Sequence, residues 1–447
     1  MKIKLSLWIA PIVEEAMINF EELQKYTVSQ LRTTLTSLGG APGNKNKQSL
    51  IGEIMKIMCG EIAPSRSNRG RPTTAATIVV EGYMPDKRMG PITLQDKSAK
   101  EWDKPFSGIV EILSSGYGTV YTDVTNLVGD VHIPMTFIKE FDLRTGDLIE
   151  GKCGNIKEKS SVEVLSITSV NGRGQRKERR PVLDGISARY SDQIVYLGKT
   201  DKRLSVIDKF CPIGMGQRTV IEKCAASNKT AFIKDLAYAI EVDNPDLSLI
   251  ISLVDERPEE VSLFKEAFKS EIYASTFDKS AGFKIHMADL AFMRAKALFE
   301  EGKNVVLVVD SLSRLYKSYL TKDASAVDSM SQKHVNGAIG ALSHYFAMAR
   351  NAKVGSLTII ATVNKSDSTP GHSVIVDTLY EGCNQKIVLS EDLVETRRFP
   401  PVSLKDSNTQ NIENLLKKED FARHLEIKSR LISGEIDSAT ALDLIKD

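Results

Sequence analysis

Continuous apolar runs alternate with segments of helical spacing from about residue 206 onward, and this alternation restricts the fold more than any other feature of the chain. Between two such runs, Phe232, Leu236 and Ile240 repeat every four residues and lie on one face of a predicted helix. Strands that are apolar throughout are typical of a parallel sheet covered by helices on both faces. We therefore predict an α/β domain, with strands at 219–221, 247–254, 305–309, 356–362 and 385–389.

A second, smaller fold precedes the α/β domain. Five short apolar segments separated by turns indicate a small β-barrel, whereas residues 20–58 have helical spacing. The predicted boundaries are a helical module at 1–62, a Pro/Ser/charged linker at 63–106, the barrel at 107–171, a basic connector at 172–205, the α/β domain at 206–420 and C-terminal helices at 421–447.

The composition excludes several classes of protein. Of 447 residues, 42% are hydrophobic and 26% are charged, so the chain is neither collagen-like nor wholly disordered. Five scattered cysteines without a CxxC pair predict reduced thiols, no zinc site and a cytoplasmic location. No segment has the ~20 apolar residues of a membrane span, and Pro11 and Glu14 argue against a secretory signal. The net charge of +1 neither predicts nor excludes a polyanionic partner.

A segment at 219–230 has the order strand, loop and helix that phosphate-binding loops have, and it ends in Lys229-Thr230. Such loops normally begin with a small residue and have glycine before the lysine, but Lys223 and Asn228 occupy those places. Asparagine enters the left-handed region more readily than most residues, so the loop can still form. The segment alone also fits the capped start of an ordinary helix.

Two carboxylates follow apolar strands, where open α/β sheets place their ligands. Asp310 ends the strand 305–309 and suits a magnesium-side aspartate, and Glu256 follows the strand 247–254 and is a candidate to orient an attacking water. Each acid taken singly also fits a favourable charge at the start of a helix.

Six short strings together resemble the transcription termination factor Rho family, in order and spacing, from about residue 107 to residue 416. They are FDLRTGD (141–147), PIGMGQR (212–218), VDERPEEV (254–261), ASTFD (274–278), DSLSRL (310–315) and GSLTIIAT (355–362). The resemblance implies a cold-shock or OB-type barrel that binds single-stranded RNA, then a RecA-like P-loop ATPase domain. It further implies a homo-hexamer with ATP and Mg²⁺ between subunits.

The resemblance also assigns roles by position within the nucleotide site. Lys229 would hold phosphate, Thr230 and Asp310 the magnesium ion, and Glu256 would activate water. Arg397 falls where the family has an arginine near the subunit junction.

In the barrel, the resemblance implies RNA contacts for three side chains. Tyr117, in a Gly-Tyr-Gly string, falls where the family stacks a base, and His132 occupies a second aromatic place. Tyr121 stands where the family has an arginine, and Thr119 where it has another aromatic residue. We expect the RNA contact to be changed accordingly.

Further departures from the family fall on the parts that hydrolyse ATP and move RNA. Gln410 stands at the place of the arginine finger and carries no charge. The first central RNA loop, at 323–332, has gained acid and lost glycine, and Pro370 replaces the lysine of the second.

These departures predict a Rho-like protein that binds RNA and nucleotide but hydrolyses ATP weakly or not at all. Such a protein would act in transcription termination or modulate it, in its own ring, in a mixed ring with an intact Rho, or at RNA polymerase. The alternatives are an active RNA-dependent ATPase and helicase that terminates transcription, with Arg397 or Arg398 as the finger, and a nucleotide-free RNA-binding ring.

Overall fold

A computed structural model describes most of the chain from residue 104 onward. The described residues are 3–6, 16–18, 77–80, single positions between 28 and 50, 104–125, 127–155, 162–174, 179–223, 229–322 and 332–446. The chain divides into two compact units, Met1–Asp96 and Lys97–Asp447.

The first unit contains a small antiparallel sheet that the sequence analysis did not predict. Its strands are β1 (Ile3–Ser6), β2 (Ala16–Ile18) and β3 (Thr77–Val80), in the order β2-β1-β3. The described helical positions include Leu31, Leu35 and Leu50, which are fully buried, as expected from their spacing. Strand β3 falls inside the segment 63–106 that we predicted to be a linker, and it pairs with β1 along four residues.

The second unit begins with a closed five-stranded barrel, which confirms the predicted barrel fold. Its strands are β4 Lys104–Ile112, β5 Gly118–Asp123, β6 Val128–Ile133, β7 Leu148–Asn155 and β8 Val162–Val170. They follow the order β4-β5-β6-β8-β7 around the barrel, and the short helix α1 (Met135–Glu140) connects β6 to β7. Alternate residues such as Val110, Val120 and Ile149 fill the barrel interior, as the two-residue period of a strand requires.

An α/β sheet makes up the rest of the second unit and confirms the predicted fold class. The strands are β9 Arg218–Lys223, β10 Ser248–Glu256, β11 Glu271–Thr276, β12 Asn304–Asp310, β13 Arg350–Asn351, β14 Ser356–Asn364, β15 Gln385–Val388 and β16 Asn408–Thr409. Their order in the sheet is β11-β10-β12-β14-β9-β15-β16, with β13 paired to β14. Of the seven pairings among these strands, five are parallel, and the two that involve β13 or β16 are antiparallel. All five predicted strands are present, whereas the edge strand β11 was missed because it is only partly apolar and half-buried at several positions.

Helices cover both faces of this sheet. Val305, Leu307 and Val309 of β12 pack into one apolar cluster, while Val306 and Val308 pack into another on the opposite face. The helices are α2 Ser205–Phe210, α3 Lys229–Asp243, α4 Pro258–Ala267, α5 Ala281–Glu300, α6 Leu312–Thr321, α7 Gln332–Phe346, α8 His372–Gly382, α9 Glu391–Glu395, α10 Lys418–Ile432 and α11 Ser438–Lys446. No helix among the described residues is long and apolar enough to cross a bilayer.

The barrel packs against helix α5, and their backbones approach closely. Gly146, with φ +94°, lies so near the backbone of Met293 that an added Cβ would come within 2.3 Å of its carbonyl. Arg180, from the segment 172–205 predicted to be a connector, is buried beside the barrel carboxylate Asp147 and the α5-terminal Glu301, at 2.5 Å and 3.2 Å. Part of the predicted connector is therefore a packed element of the junction.

Candidate functional site

The central strands of the sheet end at one edge, and the predicted nucleotide residues that the structure describes lie at this edge. Strand β9 ends at Lys223 and helix α3 begins at Lys229, so the strand and the helix that flank the predicted phosphate loop are both present. The loop itself, residues 224–228, lies outside the described residues, as do the side chains of Lys229 and Thr230. The nucleotide roles of Asn228, Lys229 and Thr230 stay predictions. The amino end of a helix such as α3 favours bound phosphate.

Glu256 and Asp310 lie at this same edge. Strands β10 and β12 are parallel neighbours, and Leu253 of β10 is in register with Asp310 of β12. Both carboxylates are buried, Glu256 at 4% exposure and Asp310 at 1%. The structure therefore brings together the two acids that the sequence singled out, although their catalytic and metal roles stay predictions.

Asp310 forms a buried ion pair with Lys223, which sequence reasoning did not predict. The Lys223 ammonium Nζ donates to Asp310 Oδ1, and the Thr362 hydroxyl donates to the same oxygen at 2.8 Å. The other oxygen, Oδ2, is buried without a hydrogen-bond partner among the described residues. A signal was present in the sequence, because charged residues at the end of a buried strand need partners.

The ion pair keeps Asp310 in its charged form. Burial works to raise the pKa of Asp310, but the Lys223 ammonium, the Thr362 hydroxyl and the nearby Arg314 outweigh it, so the pKa lies below its usual value. Burial lowers the pKa of Lys223, with Asp310 opposing that shift. Lys223 is itself only 4% exposed, so the two charges are held together away from water.

Glu256 is paired as well. Arg314, in the first turn of α6, donates from its guanidinium to Glu256 Oε2 at 2.5 Å. Asp255, one residue earlier, forms an ion pair with Lys284 and has a left-handed backbone at φ 58°. Each acid at this edge therefore has a cation from the same chain beside it.

The family resemblance implies a magnesium ion at Asp310, and the described residues do not fit one there. Of the two residues that the resemblance assigns to the ion, the side chain of Thr230 lies outside the described residues, so the fit is tested at Asp310, the one carboxylate of the pair. The charge of that carboxylate is already neutralised by a buried ammonium, which together with the Thr362 hydroxyl occupies Oδ1 and leaves only Oδ2 open. A divalent cation at Asp310 would be placed close to the like charge of Lys223, which is unfavourable where water does not screen it.

Two residues that the family resemblance places near a subunit boundary, Gln410 and Arg397, are both exposed. Gln410 is exposed and lines a cavity of about 550 Å³ with Arg218, Arg350 and Asn384. Because β9 starts at Arg218 and ends at Lys223, this cavity lies at the opposite edge of the sheet from Asp310. Arg397 is also exposed, at φ 53° just after α9. Within the described residues, no ion pair joins it to an acid of the nucleotide site.

Two of the three predicted RNA contacts share one side of the barrel. Tyr117 is half-buried and immediately precedes β5, and His132 of β6 is half-buried and directly opposite Thr119 of β5. Cross-strand neighbours of this kind lie on the same face of a sheet. Tyr117 and His132 are therefore placed where a base could reach them, and their RNA-binding role stays a prediction.

Tyr121 is placed differently. Its side chain is 7% exposed, and its hydroxyl donates to Glu111 Oε2 at 2.6 Å. Its ring meets that of His286, on helix α5, edge to face with centroids 5.7 Å apart. His286 Nε2 in turn lies 3.2 Å from Glu111 Oε2. The geometry gives Tyr121 a place in the junction between the barrel and α5, and its predicted RNA contact stays a prediction.

Comparison with known families assigns both halves of the second unit. The family described as "Rho termination factor, RNA-binding domain" matches residues 106–175. The family described as "ATP synthase alpha/beta family, nucleotide-binding domain" matches residues 203–409.

Curated relatives are similar over most of the chain. Transcription termination factor Rho of Mycobacterium tuberculosis is 33% identical over 356 residues, covering 76% of this chain. The match covers 58% of the mycobacterial protein, so this chain spans less than two thirds of that relative. The Borreliella burgdorferi protein of the same name is 30% identical over 77% of this chain and 68% of its own length. Transcription termination factor Rho 1 of Ehrlichia chaffeensis is 31% identical over 76% and 83%.

Among solved structures, the fold is similar to an ATP synthase subunit, NeqB from Nanoarcheaum equitans. The TM-score is 0.50 at 19% identity, over 59% of this chain and 66% of that one. At this identity the similarity concerns the fold only.

Proposed function

The chain belongs to the transcription termination factor Rho family, and from that premise we propose that it binds single-stranded RNA through the barrel and ATP through the α/β domain, with weak or absent hydrolysis. It would act in transcription termination or modulate it, as a homo-hexamer or in a mixed ring with an intact Rho. Contact with RNA polymerase would belong to the same role.

The proposed RNA site rests on Tyr117 and His132. Both side chains are half-buried on one side of the barrel. Stacking of one base on an aromatic side chain contributes about 1 to 3 kcal/mol, so Tyr117→Ala should weaken RNA binding by about 5-fold to 150-fold. Fluorescence anisotropy with a labelled single-stranded RNA measures this change.

A matched control is Tyr238→Ala, because Tyr238 is a tyrosine of helix α3 that is 49% exposed and far from the barrel in sequence. Its replacement should leave RNA affinity unchanged. The assignment of Tyr117 would be contradicted if both variants lost affinity equally, or if neither variant lost affinity.

Weak hydrolysis is supported by one observation above all: both acids that hydrolysis would use are in ion pairs within the chain. Asp310 is paired with Lys223 and Glu256 with Arg314. The neutral Gln410 adds to this, since an arginine finger can contribute 10³ to 10⁵ in rate, or roughly 4 to 7 kcal/mol of barrier.

The competing candidate is an active RNA-dependent ATPase. It is favoured by the retention of Glu256 and Asp310 on neighbouring strands and by the exposed Arg397, which would be free to approach another subunit. Phosphate release with and without RNA, measured beside nucleotide binding, separates the two. Robust RNA-stimulated turnover that disappears in Glu256→Ala would establish the active enzyme. Absence of any affinity for ATP would instead favour an RNA-binding ring without nucleotide.

A further inference from the structure

We propose that Lys223 is a resident cation of the phosphate site, so that the chain binds nucleoside triphosphate without a divalent metal ion. The inference rests on the proposed nucleotide binding, and it adds that the nucleotide binds without a metal ion. Lys223 supplies, beside Asp310, the positive charge that a bound metal would otherwise supply.

The position of Lys223 in the sheet supports this role. Lys223 is the last residue of β9, and Asp310 is the last residue of β12, with β14 between them. Neighbouring strands are about 4.8 Å apart, so the lysine side chain spans two strand spacings at the carboxyl edge of the sheet. The hydroxyl of Thr362, on the intervening strand β14, donates to Asp310 Oδ1 at 2.8 Å. The ammonium therefore lies between the phosphate-loop strand and the acid that would face the metal.

The hydrogen-bonding capacity of the pair leaves room for an anion. An ammonium group has three donors, and the described residues supply one acceptor, Asp310 Oδ1. Buried donors of this kind need further acceptors, and phosphate oxygens are strong ones. The pair itself carries no net charge. A free triphosphate would therefore meet donors at Lys223, at the amino end of α3, and at Arg314 nearby.

Two other charged residues at this edge, Arg314 and Glu256, also neutralise each other without a metal ion. Arg314 pairs with Glu256 at 2.5 Å, and it also interacts electrostatically with Asp310. Two cations and two carboxylates thus form a balanced cluster before any ligand binds. A dication at Asp310 would add a like charge beside Lys223 and Arg314, whereas phosphate oxygens would be attracted by these two cations.

The experiment measures the dissociation constant of a fluorescent ATP analogue in magnesium and in EDTA. For the natural chain, the two constants should agree within about twofold. Lys223→Met removes the ammonium at similar length, and its ratio of the EDTA constant to the magnesium constant should rise to at least about tenfold, or about 1.4 kcal/mol. The control is Lys386→Met, which removes a neighbouring lysine that pairs with Glu222 at 2.7 Å. Its ratio should stay near that of the natural chain.

The outcomes separate the inference from the proposed function. Binding by the natural chain that weakens tenfold or more in EDTA overturns the resident-cation role and leaves nucleotide binding intact. This measurement needs no variant, so it holds even if Lys223→Met does not fold. If Lys223→Met binds the analogue as tightly as the natural chain does, and equally well in magnesium and in EDTA, the resident-cation role is also overturned. No binding in either buffer overturns the proposed nucleotide function together with the inference.

Discussion

Replacing Arg180 by methionine removes a buried cation from the junction between the barrel and helix α5. The Arg180 guanidinium donates to both oxygens of Asp147 at 2.5 Å and to Glu301 Oε1 at 3.2 Å. The exposed fractions of the three side chains are 1%, 0% and 0%. Methionine keeps much of the side-chain volume but leaves two buried carboxylates without this partner.

The expected free-energy cost of this substitution depends on the hydrogen bonds that the buried carboxylates keep. Removing one partner of a buried ion pair costs about 3 to 5 kcal/mol. Asp147 still accepts hydrogen bonds from the Asn171 amide at 2.7 Å and from the Arg144 backbone N–H at 2.8 Å, so neither of its oxygens is left without a donor. We therefore expect the lower end, about 3 kcal/mol, which corresponds to roughly 150-fold in an opening equilibrium.

Hydrogen–deuterium exchange measures this opening locally, which suits a chain of several domains. The amides to follow are those of Val110, which donates to the Asp147 carbonyl, and Leu148, which donates to Asn171. The matched control is Arg398→Met, because Arg398 holds Asp443 through two hydrogen bonds on the surface, with exposed fractions of 44% and 53%. Such pairs contribute about 1 kcal/mol or less. Equal protection of Val110 and Leu148 in both variants would refute the reasoning.

Three further predictions concern the junction and the nucleotide site. Burial works to lower the pKa of His286, but Glu111 outweighs it and raises the pKa, so the stabilisation from His286 is present below about pH 6.5 and is lost as pH rises through the raised pKa. The pKa of Glu111 is lowered despite the opposing effect of burial, so its contribution is lost only as pH falls through that lowered value. Exchange protection at the junction should therefore be greater near pH 6 than near pH 8, about half a unit below and well above the usual histidine pKa, and His286→Gln should flatten that difference. Gly146→Ala should loosen the same junction by at least about 1 to 2 kcal/mol, the cost of the left-handed backbone alone, as a lower thermal midpoint would show. Asn228→Gly with Gln410→Arg should release more phosphate from ATP when Lys223→Ala is added than without it, and equal rates would contradict a metal-excluding role of Lys223.

Local patterns determined much of the fold. Five apolar runs became the central strands of the α/β sheet, and five shorter ones closed into the barrel. The acids Glu256 and Asp310 could be placed at one edge of the sheet, because the ends of parallel strands coincide. Periodicity and strand ends depend on neighbours in sequence, so they can be recognised without knowing which strands pair.

Contacts between distant segments were decided by the tertiary structure alone. Lys223 meets Asp310 only because β14 is the single strand between β9 and β12, an order that no local pattern specifies. Tyr121 has the residue type of an RNA contact, yet the docking of α5 covers it. Arg180 lies in a basic stretch typical of a solvated connector, and burial against Asp147 gives it a different role. A residue's type and spacing indicate which chemistry is available, whereas its partner and its exposure to water depend on packing between elements far apart in the chain.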